Sequence, residues 1–232
     1  MRLLLIRHGQ TPANIAGQLD TAVPGLPLSP LGRRQAAAVP SGLGSLGLDD
    51  IGSIYVSTLQ RTQETAAPLA AALDLTPTIL DGLKEIQAGD LEMKNDETSQ
   101  HEYNAMCFAW AEGDLDVRMP GGETGHGFFA RYDAAVDTAV RDGRAPIAIV
   151  SHGAAIRTWV AARCADVDGG FAGTHQLLNT GLAVLESLPH GDHGDESSTG
   201  RRWRLVSWRT DPIGGAELID ALAEDPTGRA TE

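Results

Sequence analysis

The sequence predicts an α/β fold, specifically a three-layer α/β/α sandwich with a mostly parallel central sheet in a single domain. The 232 residues suit one large domain better than two small ones. Hydrophobic residues make up 42% and charged residues 21% of the chain, which is typical of a folded globular protein. Short apolar runs alternate with longer helical stretches, and this alternation is typical of layered α/β folds.

The first half of the chain is predicted to alternate strands and helices. In order, these are a strand over Leu3–Ile6, a helix over Leu31–Val39, a strand over Ile51–Ser57, a helix over Thr58–Leu73 and a short strand over Ile79–Leu83. Pro40 is expected to end the first helix, because proline lacks the amide hydrogen that a helix interior requires. Ser57 and Gln60 have the spacing of a capping box at the start of the second helix.

The second half is predicted to complete the sheet around one irregular stretch. Residues 84–116 are polar and are expected to form an inserted covering segment with a helix around Glu102–Glu112. The later elements are a helix over Glu123–Val140, a strand over Ile147–Val150, a helix over Ala154–Cys164 and a hairpin of Leu182–Leu188 with Trp203–Trp208. The domain is therefore expected to span residues 1–210, followed by a flexible acidic tail over residues 211–232.

The net charge of −13 is concentrated in two segments, since residues 81–116 carry −8 and residues 211–232 carry −5. So acidic a chain repels phosphate backbones and anionic lipids, which argues against nucleic-acid and membrane partners. The two cysteines are too few for a disulfide framework. The apolar run at the start is too short for a signal peptide or a membrane span, so a cytoplasmic location is expected.

Residues 42–47 spell GxGxxG, the pattern of a dinucleotide-binding loop. That motif requires a strand before it and a helix after it, whereas here the predicted order is the reverse. We therefore interpret this stretch as a flexible loop between a helix and a strand.

Functional residue types follow several of the predicted strands at their carboxyl ends, where open α/β sheets bind ligands. Arg7, His8 and Gly9 follow the first strand, and Ser151, His152 and Gly153 follow the strand at 147–150. Arg61 follows the strand at 51–57. Arginine forks and helix amino-termini bind phosphate oxygens, and an imidazole in their positive field is pushed towards its neutral, nucleophilic form. A carboxylic acid would still be needed to protonate the leaving oxygen.

Six short motifs resemble those of the histidine phosphatase superfamily, the branch that includes cofactor-dependent phosphoglycerate mutases. The resemblance extends from residue 2 to about residue 185. The motifs are RHG at 7–9 with Asn14 beyond it, LSxxGxxQA at 28–36, SxLxRTxxT at 57–65, LxExxxG around Glu85, GGE at 121–123 and VSHG at 150–153.

The resemblance implies a role for each matching residue. His8 would attack the phosphoryl group, and Glu85 would protonate the leaving alcohol and then activate water. The three non-bridging oxygens would be held by Arg7, Arg61 and His152, with Asn14 as a supporting contact. No metal and no organic cofactor are implied.

The chain departs from the family pattern in two places. Residues 89–93 read GDLEM where the family often has GxWEG, which changes the wall of the pocket. His126 follows the GGE motif, where it is expected to be an exposed residue rather than part of the pocket.

Three functions remain open at this point: a metal-independent phosphomonoesterase of the histidine acid type, a phosphoglycerate mutase-type enzyme, and a non-catalytic phosphate-binding protein. The mutase subgroup carries additional basic residues after its acid, whereas residues 86–88 here read IQA, so we favour the phosphatase. The acidic segment suggests a small monophosphate with a neutral or cationic remainder as substrate. The oligomeric state, a homodimer included, is open.

Overall fold

The computed structural model describes residues 1–188 and 202–228. Its centre is a single six-stranded sheet with the strand order β3-β2-β4-β1-β5-β6. The strands are β1 (Arg2–Arg7), β2 (Ser53–Val56), β3 (Thr78–Ile79), β4 (Ile147–Ser151), β5 (Leu182–Ser187) and β6 (Trp203–Arg209). The first four are parallel to one another, and β5 runs antiparallel to both β1 and β6. The mostly parallel sheet and the terminal hairpin are therefore confirmed.

The helices are α1 (Pro12–Ile15), α2 (Pro30–Ser45), α3 (Gln60–Leu73), α4 (Glu97–Glu112), α5 (Gly125–Asp142), α6 (Gly153–Arg163) and α7 (Phe171–Thr174). They cover both faces of the sheet. Successive strand residues point to opposite faces, so Leu3 and Leu5 pack with α4, α5 and α6, while Leu4 and Ile6 pack with α2 and α3. This arrangement confirms the three-layer sandwich and brings the carboxyl ends of β1, β2 and β4 to one edge.

Helix α2 does not end at Pro40 as predicted but continues to Ser45. Val39 and Leu43, four residues apart and at most 1% exposed, pack into the same apolar cluster on either side of the proline. That burial offsets the hydrogen bond that the proline cannot make. Gly42 and Gly44 of the GxGxxG stretch therefore lie in the helix rather than in a flexible loop, and the order of helix followed by strand around them is as expected.

Three predicted boundaries were also wrong. Helix α3 begins at Gln60 after an extended Leu59 with no side-chain cap, so Ser57 is not part of a capping box. The strand predicted over Ile79–Leu83 ends at Ile79, and a 3-10 turn follows over Asp81–Leu83. Helix α4 begins earlier than expected because the side chain of Asp96 accepts a hydrogen bond from the amide of Ser99.

The segment expected to cover the pocket has two parts. Helix α4 belongs to the helical layer, since its Tyr103, Cys107 and Trp110 are fully buried in the core. The loop before it contributes the residues of this segment that line the cavity beside Glu85, namely Lys84, Glu85, Gln87, Gly89 and Glu92. The tail also differs from expectation, because residues 225–228 are buried against the main domain. Within the described residues, no helix is long and apolar enough to cross a membrane.

Candidate active site

His8 follows β1 and is 2% exposed. Its Nδ1 lies 2.7 Å from the carbonyl oxygen of Gly9. Because a carbonyl can only accept, Nδ1 carries the proton and Nε2 keeps its lone pair. Burial, followed by the charges of Arg61 and Arg7, holds the pKa of His8 well below the usual histidine value. The side chain is therefore a neutral imidazole at neutral pH, with one nitrogen available as a nucleophile.

The loop that carries His8 is held by the start of α2. Ser29 caps this helix and donates to the side chain of Gln10, whose backbone amide donates to the side chain of Gln35. Gly32 lies against the backbone of Gln10, where a methyl group would clash with the carbonyl oxygen. The LSxxGxxQA residues thus fix the backbone next to His8.

His152 follows β4 at the start of α6, and its ring centroid lies 5.2 Å from that of His8. Its Nε2 lies 2.8 Å from Oγ of Ser57, while the fully buried Nδ1 has no hydrogen-bond partner among the residues described. Burial and the nearby charge of Arg61 hold the pKa of His152 well below its usual value. An imidazole whose Nε2 accepts from Ser57 would present an Nδ1–H donor to an oxygen bound beside His8.

Glu85 is 2% exposed and lies against the N-terminus of α6. Its Oε1 accepts from the amides of Ile86 at 2.9 Å and Ala155 at 2.8 Å, and its Oε2 accepts from Ala154 at 3.2 Å. Burial raises the pKa of Glu85, although these hydrogen bonds and the charge of Arg61 oppose the shift. A raised pKa suits a group that donates a proton near neutral pH.

A half-buried ion pair holds the backbone around Glu85. Arg131 of α5 donates to the carbonyl oxygens of Gly82, Lys84 and Glu85 at 2.8 to 2.9 Å. It also pairs with Glu123 at 2.6 Å. The GGE motif therefore contributes Glu123 to the support of the acid rather than to the pocket itself.

Arg61 lies in the first turn of α3 and is 3% exposed. Its Nη2 donates to the carbonyl oxygen of Asp20 at 2.8 Å, and its Nη1 lies 3.4 Å from the carboxylate of the same residue. The Nε hydrogen is buried and has no partner within the described part of the chain. Arg61 is thus oriented by one neighbour and keeps donors for a ligand.

Arg7 ends β1 and is fully buried. Its Nη1 donates to the carbonyl oxygen of Leu177 at 2.8 Å and to Asp225 at 2.5 Å. Its Nη2 donates to the other carboxylate oxygen of Asp225 at 2.7 Å and to Oγ1 of Thr227 at 2.9 Å. Two residues of the C-terminal segment therefore bind the guanidinium predicted to hold substrate.

Asn14 lies beside this ion pair. Its Oδ1 accepts from the backbone amide of Thr11 at 3.0 Å and completes the cap of α1, while its Nδ2 donates to Asp225 at 3.1 Å. The structure thus brings together all six residues singled out in the sequence.

Two cavities adjoin these side chains. A cavity of about 290 Å³ is open to the surface and lined by Thr21, Ala22, Val23, Lys84, Glu85, Gln87, Gly89 and Glu92. A cavity of about 10 Å³ lies deeper and is lined by His8, Thr11, Ala13, Asn14, Gln18, Asp20, Arg61, Glu85 and Thr227. Glu85 lines both, so it stands between the nucleophile and the outer space.

The acidic cover expected from residues 81–116 is smaller than the sequence suggested. Only Glu85 and Glu92 of this segment's acids line the outer cavity, together with the cation of Lys84. The carboxylate of Glu92 accepts hydrogen bonds from Thr21 and from the amide of Ala22, so it holds the opposite loop.

The model of the histidine phosphatase superfamily (branch 1) matches residues 3–196. The chain belongs to this superfamily. The fold and the order of the motifs within it agree with that assignment, and the resemblance inferred from the sequence is confirmed.

Similar proteins of the histidine phosphatase superfamily are known as sequences and as structures. The probable phosphoglycerate mutase GpmB of Salmonella paratyphi B is 33% identical over 99% of this chain and all of its own length. The PE-PGRS family protein PE_PGRS11 of Mycobacterium tuberculosis is 36% identical over 95% of this chain, which spans 38% of that longer protein. The structure of a mycobacterial glucosyl-3-phosphoglycerate phosphatase with VO3 is 25% identical, with a TM-score of 0.69 over 90% of this chain and 99% of its own.

Several residues of the site in this superfamily member were not predicted from the sequence. Asp20, Asp225 and Thr227 bind the two arginines, and Arg131 supports the acid. The available signal for Asp225 and Thr227 was an acidic, threonine-containing end to the chain, which by itself is typical of a solvated tail. Ser57 was singled out as a helix cap and as the first residue of the SxLxRTxxT motif, but its contact with His152 was not predicted.

His126 lies outside the site, as the sequence suggested, since its side chain is exposed and lies 3.2 Å from Asp116. Within the described residues, no cluster of histidine, cysteine and acidic side chains is arranged to hold a metal ion. His190 and His193 are predicted from the sequence to be solvated in a loop rich in glycine and serine rather than to bind a metal, and both lie outside the described residues.

Proposed function

We propose that the chain is a metal-independent phosphomonoesterase that forms a phosphohistidine at His8. One observation carries the proposal: a neutral, buried His8 with a free Nε2 lines the same small cavity as Arg61 and Glu85, beside His152. A nucleophile, cationic and neutral donors and a proton donor are thus gathered around one point, as phosphoryl transfer requires.

In the first step, Nε2 of His8 attacks phosphorus and the bond from phosphorus to the ester oxygen breaks. Arg7, Arg61 and Nδ1–H of His152 would hold the three non-bridging oxygens and neutralise the charge that they carry. Asn14 would support this contact from the side of Arg7. The neutral His8 needs no base to become a nucleophile, because Nδ1 carries the ring N–H proton and donates it to the carbonyl oxygen of Gly9. Nε2 therefore has no proton to lose.

Glu85 would deliver a proton to the departing alcohol oxygen. Its Oε2 accepts one long amide hydrogen bond and so has room for that proton. In the second step, the ionised carboxylate would take a proton from water as the water attacks phosphorus, which releases phosphate and restores His8 and Glu85.

Phosphoglycerate mutase-type transfer is the second candidate, because GpmB is among the relatives. A mutase must hold a substrate with two anionic groups. Among the residues that line the outer cavity, Lys84 is the one cation, and its Nζ lies 2.9 Å from Asp81. The outer cavity thus has little positive charge to bind a second anionic group, which supports hydrolysis over transfer.

The substrate class that we propose is a small monophosphate with a neutral or cationic remainder. The outer cavity can enclose a compact group next to Glu85, and its charges do not favour a polyanion. The cytoplasmic location stays a prediction, and the oligomeric state stays open.

The test is phosphate release from an aryl phosphate and from 3-phosphoglycerate in the presence of a chelator, with His8→Ala as the paired variant. Release that persists in chelator and disappears in His8→Ala is the expected result. An acid-labile, base-stable phosphoryl label on the wild-type chain, absent from His8→Ala, would identify the intermediate.

The other functions give different results in the same experiment. Isomerisation of phosphoglycerate without net release would replace the phosphatase by the mutase. Phosphate binding without turnover of any monophosphate in a substrate panel would leave a non-catalytic phosphate-binding protein.

A further inference from the structure

We propose that residues 223–228 are an intramolecular inhibitor, in which the carboxylate of Asp225 takes the place of a substrate phosphoryl group on Arg7 and Asn14. This role rests on the proposed function, since it assumes that these two residues bind the substrate phosphate. The segment and a phosphorylated ligand would compete for the site, so the segment leaves when a phosphoryl group binds.

The first support is that the terminal nitrogens of Arg7 are fully used, while its buried Nε has no partner among the described residues. A guanidinium has four hydrogens on its two terminal nitrogens. Leu177 accepts one, the two oxygens of Asp225 accept two, and Thr227 accepts the fourth. A planar, two-oxygen contact of this kind is how arginine binds a phosphate. A phosphoryl group can gain the terminal nitrogens of Arg7 only if Asp225 moves.

The second support is that Asn14 is a second hydrogen-bond donor to Asp225. Nδ2 of Asn14 donates at 3.1 Å to Oδ1 of Asp225, the oxygen that also accepts from Nη2 of Arg7. Two residues selected from the sequence as phosphate contacts therefore converge on one carboxylate. The space that remains beside His8 is about 10 Å³, room for about one water molecule. Thr227 of the segment lines this remaining space together with Asn14, so the docked segment takes up part of the site beside His8.

The third support is that the segment is held by hydrogen bonds and belongs to neither apolar cluster of the core. Asn104 donates to the carbonyl oxygen of Pro226 at 3.0 Å, and Arg157 donates to that of Thr227 at 3.2 Å. The amide of Leu177 donates to Gly228 at 2.8 Å. Because no residue of 223–228 packs into the apolar clusters and the preceding Leu222 is 91% exposed, the segment can leave without opening the core of the sheet domain.

A phosphoryl group is the ligand best suited to displace the segment. A phosphate monoester carries close to two negative charges at neutral pH, against one on the carboxylate, and offers three oxygens instead of two. Binding is nevertheless weakened, because the apparent dissociation constant is the intrinsic one divided by the fraction of molecules with the tail released. If the tail is docked in about nine molecules of ten, affinity falls about tenfold.

The competing explanation is that Asp225 only orients Arg7, and the two roles predict opposite effects. A positioning carboxylate would help phosphate to bind, so its removal would weaken binding. An inhibitory carboxylate would compete, so its removal would strengthen it.

The experiment is a titration of the 232-residue chain with inorganic phosphate, by calorimetry and by inhibition of aryl phosphate hydrolysis. The variant is Asp225→Ala. The matched control is Glu224→Ala, which removes the same charge from the neighbouring, exposed residue. We expect Asp225→Ala to bind phosphate about tenfold more tightly and to lower KM by a similar factor, with Glu224→Ala close to wild type.

Equal or weaker phosphate binding by a folded Asp225→Ala chain would overturn the inhibitor role and leave the phosphatase proposal intact. If neither the wild type nor the variant binds phosphate or hydrolyses any monophosphate, the proposed function fails and the inhibitor role fails with it.

A second measurement needs no variant. Hydrogen exchange of the wild-type chain is followed at 223–228 and at the amide of Leu177, with and without saturating phosphate. Loss of protection on binding is the expected result, because the amide of Leu177 donates to Gly228 only while the tail is docked. Unchanged protection with phosphate bound would overturn the proposal even if Asp225→Ala fails to fold.

Discussion

The two arginines of the site are both buried and both follow strands of the same sheet, yet their surroundings differ. Among the described residues, Arg61 donates side-chain hydrogen bonds to Asp20 only, and its Nε hydrogen is left for a ligand. The terminal nitrogens of Arg7 donate four hydrogen bonds, which Leu177, Asp225 and Thr227 accept. The Arg61 side of the site is therefore open to an anion and is called the open side. The Arg7 side already binds the carboxylate of Asp225 and is called the closed side.

The difference follows from where the partners lie in the chain. Asp20 belongs to the loop between α1 and α2 and lies 41 residues from Arg61. Asp225 lies 218 residues from Arg7, beyond the last strand of the sheet. The Arg61 side is part of the sheet framework, whereas the Arg7 side is completed by a segment that can detach. We therefore expect substitutions on the two sides to affect activity differently.

The largest effect is expected on the open side, for Arg61→Ala. This substitution removes a charged donor from the phosphoryl oxygens and should lower kcat/KM about 10³-fold. Arg61→Lys restores the charge without the fork and should recover part of the loss. Steady-state kinetics on an aryl phosphate measures both. A loss below about tenfold for Arg61→Ala would show that Arg61 does not bind the phosphoryl oxygens.

The matching substitution on the closed side is Arg7→Ala. It should also lower activity, but it leaves Asp225 buried with one fewer partner, so the C-terminal segment should detach as well. Hydrogen exchange at 223–228 separates the two sides, since protection should be lost in Arg7→Ala and kept in Arg61→Ala.

The next largest effect is expected for Glu85→Gln, about 10²-fold on an alkyl phosphate and much less on an aryl phosphate, whose leaving group scarcely needs an acid. The pKa of Glu85 is raised, so its proton is lost, and activity falls, as pH rises through that pKa. The lowered pKa of His8 places the opposite limb on the acid side. Equal losses on both esters, or an unchanged alkaline limb in Glu85→Gln, would contradict the acid role.

These differences also show what the sequence could predict. His8, Arg61 and His152 each lie within a few residues of a strand end, so short motifs and the layer order were enough to bring them together. Asp225 acts through a contact across nearly the whole chain. Its neighbours are polar and lack apolar periodicity, and such a segment predicts a solvated tail. Tertiary contacts with the domain decided its position.

The same reasoning applies to the helices. The start of α4 depends on the helix cap Asp96. This residue is present in the local sequence, but the irregular, polar composition around it obscured the start of the helix. The continuation of α2 through Pro40 depends on the burial of Val39 and Leu43 against the sheet. Local propensity was overridden there by packing that only the assembled layers provide.

An intermediate effect is expected for Arg131→Met, which removes the clamp on the backbone of Glu85. Arg131 does not touch the reacting groups and is a positioning residue, so we expect about a tenfold loss in kcat and a shifted alkaline limb of the pH profile. The control is Arg163→Met, which breaks the comparably exposed pair with Asp133 away from the site. Equal losses of Tm with unequal pH profiles would support the positioning role. If the two variants share the wild-type profile, Arg131 is merely structural.

The smallest effect tests the closed side without changing any charge. A methyl group on Gly228 would clash with Nη1 of Arg7, so Gly228→Ala should loosen the C-terminal segment while keeping Asp225. We expect KM for an aryl phosphate to fall about threefold, in the direction of Asp225→Ala, since the released fraction rises. Gly44→Ala is the matched control, because a methyl group there meets nothing closer than 3.8 Å. A higher KM in Gly228→Ala would mean that a docked tail helps Arg7 to bind phosphate, and the two sides of the site would then differ in construction but not in function.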